Sequence, residues 1–182
     1  KSQEELLEVL HKYRELGVPV DCMIQDWQYW GNNYQWNAMD FLAESFPDPE
    51  RMIKEVHERG AHLMISIWQS FGPKTLQFRE LQEKGLLFNM GTWPQSGISH
   101  VWPPMKEYPS GVKVIDTYSP EARDIYWKYL SKMYDIGLDG WWMDSTEPDH
   151  HDVVPADFDH QTAMGSYRSV LAAFPVLAVG VV

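Results

Sequence analysis

The sequence has little of what several large classes of protein require. Its 182 residues include a single cysteine, Cys22, so no disulfide can form within the chain. Basic residues are also few: 15 lysines and arginines stand against 26 aspartates and glutamates, a formal net charge of -11 at pH 7. That charge disfavours nucleic acid and an anionic membrane surface as partners. No apolar run is long enough to span a bilayer.

Two smaller absences concern the thiol and the first residues. Cys22 lies in an apolar run with strand character, so we predict a buried core residue rather than a nucleophile. Residues 1–5 have no apolar segment behind a basic start, so they do not resemble a secretory signal. With 44% hydrophobic and 23% charged residues, the chain is predicted to be globular.

Aromatic residues, in contrast, are abundant. They make up 14% of the chain and include nine tryptophans, more than a core of this size needs. Aromatic side chains commonly line ligand pockets, and their flat faces suit the rings of sugars. The excess therefore indicates a carbohydrate ligand.

Helical and strand-like segments alternate along most of the chain. Capping residues and apolar spacing predict helices over 2–17, 48–60, 74–84, 119–137 and 161–173. Apolar runs predict strands over 19–25, 61–67, 113–115 and 138–143. From about 85 to 112 the pattern is lost among prolines, which predicts a loop insertion. The apolar tail, 175–182, has no obvious place to pack.

The alternation of strand and helix predicts a parallel sheet whose strands all end at one edge. The residues that follow the four strands should therefore converge: Asp26, Trp68, Asp116 and Asp144. Four such units make about half of a (β/α)8 TIM barrel, which typically needs about 250 residues. An open doubly wound sheet is the competing fold, although the chain lacks its glycine-rich phosphate turn.

Asp144 is the most prominent candidate for a reacting group. It ends an apolar strand, directly after Trp141, Trp142 and Met143, where α/β enzymes place catalytic residues. Aspartate is also common in turns, where it binds the backbone, so a capping role stays open. Glu147 follows one turn later, either in a supporting role or bonded to the loop backbone.

Paired carboxylates beside tryptophans suit glycoside hydrolysis, in which a nucleophile and an acid/base flank the scissile bond. On that interpretation Asp26 and Asp116 bind sugar hydroxyls; the alternative is that they cap turns. Trp68 and Trp142 then line the substrate site, unless they are core residues, as buried aromatics often are.

A histidine-rich acidic segment follows the Asp144 region. It contains His150, His151 and His160 among Asp149, Asp152, Asp157 and Asp159. Its spacing matches no zinc motif such as H-E-x-x-H, so we interpret it as a solvated loop. No G-x-S-x-G elbow surrounds a serine either. We predict no metal and no organic cofactor in catalysis.

Four segments together resemble glycoside hydrolase family 31, which contains α-glucosidases and α-xylosidases. They are residues 26–30, 65–68, 116–123 and 139–148, in the family's order across nearly the whole chain. The family's W-x-D-x-x-E signature falls on Trp142, Asp144 and Glu147, which implies that Asp144 is the nucleophile. Ser145-Thr146 replaces the Met-Asn of the commoner α-glucosidases, and with the Asp-Trp-Gln-Tyr-Trp opening this looks more like α-xylosidases.

The resemblance also implies what lies outside the chain. The family's barrel carries its nucleophile after the fourth strand and its acid/base aspartate after the sixth. Counting Asp144 after a fourth strand makes residues 1–182 the first half of the catalytic barrel, inactive alone, with the acid/base beyond Val182. The implied parent protein is an exo-acting retaining α-glycosidase for oligosaccharides, for which a periplasmic or extracellular location is favoured. A non-catalytic carbohydrate-binding domain is the alternative, and a metal-dependent hydrolase the third possibility.

Overall fold

The computed structural model describes residues 2–88, 90, 110–147 and 155–182. The helices are α1 (Gln3–Glu15), α2 (Pro49–Glu58), α3 (Leu76–Glu83), α4 (Pro120–Asp135), α5 (Tyr167–Val170) and α6 (Phe174–Val179). The strands are β1 (Cys22–Gln25), β2 (His62–Ile67), β3 (Ser70–Phe71), β4 (Leu87–Phe88), β5 (Lys113–Ile115), β6 (Gly140–Met143), β7 (Gln161–Thr162) and β8 (Gly165–Ser166). Short 3-10 turns lie at Asn33–Gln35, Pro155–Asp159 and Leu171–Ala173.

A parallel sheet positions the site. Its strand order is β1-β2-β6, with Ile24 opposite Met64 and Ile67 opposite Met143. Helix α2 connects β1 to β2, and α3 and α4 lie between β2 and β6, as crossovers between parallel strands require. The three strands therefore end at one edge, which confirms this part of the sequence prediction.

The helices begin where their capping residues predict. Asp48 accepts a hydrogen bond from the Arg51 N–H at 3.0 Å at the start of α2. Ser119 accepts one from the Ala122 N–H at 3.3 Å at the start of α4. Each cap satisfies a backbone donor that has no partner within the helix, and proline follows at the first helical position. None of the helices in the described ranges is both long enough and apolar enough to cross a membrane.

The two faces of the parallel sheet differ sharply in exposure. Leu63, Ile65 and Ile67 point to one face and are fully buried in the main core. The opposite face carries Ile24, which is 49% exposed, and Trp142, which is 43% exposed. Cys22 shares this second face and is exposed. The prediction of a buried cysteine is therefore wrong, because the apolar run that contains it is covered on only one side.

Strand β5 does not belong to the parallel sheet, which corrects the count of four parallel strands. It lies between β3 and β4 in an antiparallel sheet, with Val114 opposite both Ser70 and Phe88. Two-residue strands such as β3 and β4 leave no periodic signal, so the sequence could not show these partners. In the described residues Asp144 follows the third parallel strand. Strand β4 falls within the predicted 85–112 insertion, of which 89 and 91–109 lie outside the described residues.

The C-terminal region differs from its prediction in two ways. Part of the predicted helix 161–173 is a β7-β8 hairpin, in which Gly165 begins β8 at a left-handed φ of +115°. The tail, which had no obvious place to pack, forms α6. Its Phe174 and Ala178 are fully buried in a second cluster that contains Val114, Tyr118 and Tyr167. The spacing of four residues between Phe174 and Ala178 puts both on one helical face.

Candidate active site

The site lies where the three parallel strands end. Asp26 directly follows β1, Trp68 follows β2 and Asp144 follows β6. Side chains alternate between the faces of a strand, so Asp26 continues the face of Ile24, and Asp144 that of Trp142. The register places both on the exposed face of the sheet. The predicted convergence of Asp26 and Asp144 is therefore supported by strand geometry.

The position of Asp144 is fixed by a backbone hydrogen bond and by the conformation of the next residue. Its N–H donates to the Ile67 carbonyl at 2.9 Å, one step beyond the last paired residue of β6. The next residue, Ser145, has a left-handed φ of +47°, which costs a residue with a side chain about 1–2 kcal/mol. The Ser145 hydroxyl lies 3.5 Å from Oδ1 of Asp144. Backbone strain of this kind is concentrated at functional sites.

The surroundings of Asp144 raise the pKa of its carboxyl group. Partial burial is the largest cause, because it disfavours the charged form, and the Ser145 N–H opposes it by hydrogen bonding to the carboxylate. The negative charges of Asp26 and Glu147 raise the pKa further. Three carboxylates thus lie close enough to interact electrostatically, as in sites that perform acid–base or nucleophilic chemistry.

This coupling predicts a pH effect in the full-length protein. Replacing Glu147 with Gln removes a negative charge near Asp144, so the pKa of Asp144 should fall towards its usual value. If Asp144 acts as a carboxylate, the acidic limb of the kcat/KM profile should then move to lower pH, because Asp144 stays ionised further into acid.

The control is Glu58→Gln, which removes an exposed charge on α2 whose partner is Lys54 at 3.7 Å. Its acidic limb should coincide with that of the unaltered protein. An acidic limb that stays in place in Glu147→Gln, or moves to higher pH, would contradict the coupling between Glu147 and Asp144.

Asp26 lies at the carboxyl edge of the parallel sheet and also contacts the local backbone. Its Oδ1 accepts a hydrogen bond from the Trp27 N–H at 2.8 Å, and the Gln25 side chain donates to its carbonyl at 3.0 Å. These contacts fix the carboxylate relative to the end of β1. One oxygen of Asp26 thus has a local backbone contact, and the role of Asp26 in substrate binding stays a prediction.

Asp116 is placed differently from its prediction. It follows β5, outside the parallel sheet, and is only 5% exposed. Its two carboxylate oxygens accept N–H groups from Tyr118 at 3.1 Å and Ala163 at 3.0 Å. Burial raises the pKa of Asp116, while these backbone bonds and that of Ser119 oppose the rise. Asp116 thus joins the β7-β8 hairpin to the end of β5; its role in substrate binding stays a prediction.

Trp68 and Trp142 lie in contrasting environments. Trp68 is 9% exposed and meets Trp36 edge to face, with ring centroids 4.8 Å apart. The Asn37 side chain bonds both backbone groups of Trp68, at 2.6 and 3.2 Å, and the Tyr126 hydroxyl donates to its carbonyl at 2.9 Å. Trp68 is therefore mainly a core residue, whereas Trp142, on the exposed face, is available for ligand contact.

Many of the chain's aromatic residues lie in the loop after β1. Tyr29, Trp30 and Trp36 are buried in it, and Tyr29 donates to the Ser66 carbonyl at 3.1 Å. Gly72 allows this loop to approach β3 closely, because a Cβ there would lie 2.5 Å from the Tyr34 carbonyl oxygen. The number of tryptophans suggested sugar contact, but some of them are buried in the core beside Trp68.

Asn37 is the residue that sequence reasoning missed. It adopts a left-handed φ of +57° and presents its amide to both the N–H and the carbonyl of Trp68. Residues 31–37 contain several amide side chains that were equally suitable for this contact. Spacing alone contained no signal that distinguished Asn37 from them.

The described members of the histidine-rich segment are engaged in ordinary contacts. His160 stacks on Phe88, and its Nε2 lies 3.6 Å from Asp157. Asp159 pairs with Arg168 at 3.2 Å. The other members, Asp149, His150, His151 and Asp152, lie outside the described residues.

Comparisons with known proteins show that the chain is similar to part of several glycosidases. A sequence profile described as "Glycosyl hydrolases family 31 TIM-barrel domain" matches residues 1–177. An α-xylosidase of Saccharolobus solfataricus is 34% identical over 149 residues, which are 82% of this chain and 17% of that protein. An α-glucosidase of the same organism is 25% identical over 183 residues, covering 94% of this chain and 22% of that protein.

A solved structure of the same family is also similar to this chain in fold. The crystal structure of a family 31 α-xylosidase from Xanthomonas citri matches 100% of this chain and 20% of its own, with a TM-score of 0.83 and 32% identity. The chain thus spans about a fifth of the length of these proteins.

Proposed function

This chain belongs to glycoside hydrolase family 31, and we propose that its parent protein is a retaining, exo-acting α-glycosidase with Asp144 as nucleophile. The observation that supports this most directly is the position of Asp144. It stands at the carboxyl edge of the parallel sheet, on the exposed face, within the electrostatic reach of Asp26 and Glu147. That edge is where barrel enzymes place their reacting groups.

The first chemical step is attack by the Asp144 carboxylate on the anomeric carbon of the substrate. A bond forms between the carboxylate oxygen and that carbon while the glycosidic C–O bond breaks, giving a covalent glycosyl-enzyme. Partial desolvation of Asp144 suits this role, because it weakens the hydration that the nucleophile must shed. The Ser145 N–H and hydroxyl orient the carboxylate, and Glu147 supports it.

The second catalytic group lies outside the 182 residues on this proposal. An aspartate beyond Val182 protonates the departing oxygen and then takes a proton from the water that releases the sugar. The chain is accordingly a part of the catalytic (β/α)8 barrel, and the remainder of the parent polypeptide completes the site. Asp26 and Trp142 contact the bound sugar, and Trp68 maintains the site from beneath.

We propose xylose rather than glucose as the sugar removed. The chain is more similar to the α-xylosidase of S. solfataricus than to its α-glucosidase, 34% against 25% identity. The residues between Asp144 and Glu147 are Ser145 and Thr146, which also look more like those of α-xylosidases. Xylose lacks the exocyclic hydroxymethyl group of glucose, so discrimination rests on the space available to that group.

The test is hydrolysis of paired aryl α-xyloside and α-glucoside by the full-length protein. We expect kcat/KM to favour the xyloside by at least about tenfold, the scale on which one carbon is discriminated in a fitted pocket. NMR of the first product should show the α-anomer, since two displacements restore the original configuration. A first product of β configuration would exclude a retaining mechanism, and preference for the glucoside would exclude the xylosidase assignment.

A further inference from the structure

A second group of titratable side chains lies away from the candidate active site. Asp139 bridges two histidines: its Oδ2 lies 2.7 Å from Nε2 of His57, and its Oδ1 lies 2.8 Å from Nδ1 of His62. The donor atoms of all three residues lie within 4.8 Å of one another. Their side chains are 39%, 69% and 24% exposed for His57, His62 and Asp139, so solvent reaches the group.

Three separate elements supply these residues. His57 is in the last turn of α2, His62 is the first residue of β2, and Asp139 immediately precedes β6. The group therefore lies at the amino ends of the strands, at the opposite edge of the sheet from Asp144. Residues at that edge of a barrel generally serve stability rather than catalysis.

The Asp139 carboxylate is held in place by hydrogen bonds from three groups. Its Oδ2 also accepts the Leu63 N–H at 2.8 Å. Burial alone would raise the pKa of Asp139, but the hydrogen bonds from Leu63, His57 and His62 outweigh it and lower the pKa. Gly137 permits the close approach of α2, since a Cβ there would lie 3.3 Å from Ile53 and 3.9 Å from the His57 ring.

We propose that His57, His62 and Asp139 form a binding site for a divalent transition-metal ion of the zinc class, which would stabilise the fold when bound. Two imidazole nitrogens and one carboxylate oxygen are a donor set that zinc commonly uses, with water in the fourth position. Magnesium and calcium prefer sites made of oxygen atoms, so this set selects against them.

The geometry needs only small adjustments to hold the ion. Zinc bonds of about 2.0–2.2 Å separate tetrahedral donors by about 3.3 Å. Asp139 offers one oxygen to the ion, and the distance from that oxygen to its histidine nitrogen must lengthen by about half an ångström, from 2.7 Å for Oδ2 or 2.8 Å for Oδ1. The widest separation between the donor atoms, at most 4.8 Å, must shorten. Surface side chains at the ends of elements can move by that amount. The Leu63 N–H remains to orient the carboxylate, as groups behind metal ligands usually do.

Cys22 lies near this group and is of a residue type that binds metals, but it is not one of the proposed ligands. It lies opposite His62 in the register of β1 and β2. Its thiol donates to the Met23 carbonyl at 3.4 Å rather than contacting the group. Replacing Cys22 with Ser should therefore leave metal affinity unchanged.

The test uses the full-length protein after removal of metals with a chelator. Zinc is titrated against a chromophoric competitor, and cobalt is added separately to record its visible spectrum. We expect one equivalent of zinc that is absent in His57→Ala and His62→Ala, or bound at least about tenfold more weakly. Loss of a group that merely orients a ligand already costs about 10- to 100-fold. Zinc should also raise the melting temperature of the unaltered protein, whereas magnesium and calcium should not.

The matched control is His11→Ala. His11 also pairs with one carboxylate, Glu55, at 2.8 Å, but no second histidine among the described residues joins that pair. It should retain full zinc affinity. His62→Ala is the decisive variant, because its 69% exposed side chain can be removed without opening the core.

Three results would overturn the proposal. One is equal zinc binding by the unaltered protein and His62→Ala. Another is a loss in His11→Ala or Cys22→Ser as large as that in His62→Ala. The third is a cobalt spectrum that is the same with and without His57, in which case the group is an ion-pair bridge alone.

Discussion

Replacing Asp144 with Ala in the full-length protein should abolish turnover of an activated aryl α-glycoside. If Asp144 forms the covalent intermediate, its removal leaves no group on that side of the anomeric carbon to share the positive charge of the transition state. We expect a loss of at least about a thousandfold, since removal of a covalent nucleophile can cost on the order of a millionfold. The measurement is kcat on a substrate whose leaving group needs little protonation.

Azide should partly restore this activity and identify the residue. A small anion can occupy the space that the carboxylate leaves and attack the same face of the sugar. The expected product is a β-glycosyl azide, because a single displacement inverts the α configuration. Detection of that product would distinguish a missing nucleophile from a protein that has lost its fold.

Two comparisons make the experiment decisive. Asp135→Ala removes an exposed carboxylate at the end of α4 and should keep full activity. Activity of Asp144→Ala close to that of the unaltered protein would remove Asp144 from the nucleophile role. An unaltered protein that binds oligosaccharide without hydrolysing it would favour the alternative, a carbohydrate-binding domain.

The 182 residues produced alone should associate or aggregate and show no hydrolysis of α-xylosides or α-glucosides. Within the described residues, β1 and β6 each pair with β2 only, so each has a second edge with backbone groups available to another chain. The exposed face between those edges carries Ile24 and Trp142. In a closed barrel, side chains of the remaining strands fill that space.

On the proposed mechanism the acid/base lies outside the 182 residues, which adds a chemical reason to expect inactivity. Loss of general acid catalysis typically costs about a hundredfold to ten-thousandfold. Light scattering after size-exclusion chromatography measures association, and aryl glycoside assays measure turnover, with the full-length protein as the positive control. A monomer of the isolated chain that hydrolysed either glycoside would show that a complete site lies within it.

Much of the architecture follows from local patterns. The caps at Asp48 and Ser119 and the apolar stripes behind them predicted α2 and α4 closely, because a helix is specified by residues three and four apart. The long apolar run that contains β2 was equally clear. The spacing of Trp142, Asp144 and Glu147 carried the family resemblance, and the family itself is confirmed.

Other features depended on contacts between distant segments. Nothing around Lys113–Ile115 showed that β5 pairs antiparallel with β3 and β4, so Asp116 was expected to follow a strand of the parallel sheet. For Trp68 the sequence left open a position in the substrate site or in the core, and its contacts with Trp36 and Asn37 put it in the main core. Phe174 and Ala178 pack in the second cluster, with residues such as Val114 and Tyr118 that the sequence of the tail did not identify as partners.

The sequence by itself determined the alternation of elements and the family, and it supplied the prediction that Asp144 is the nucleophile. Only the tertiary structure decided which strand lies beside which, and hence that Asp26 lies near Asp144 while Asp116 binds the hairpin. It also brought His57, His62 and Asp139 together from three elements. The physical reason is that periodicity records which side of an element is buried, whereas the choice of partner depends on backbone hydrogen bonds and packing between segments far apart in the chain.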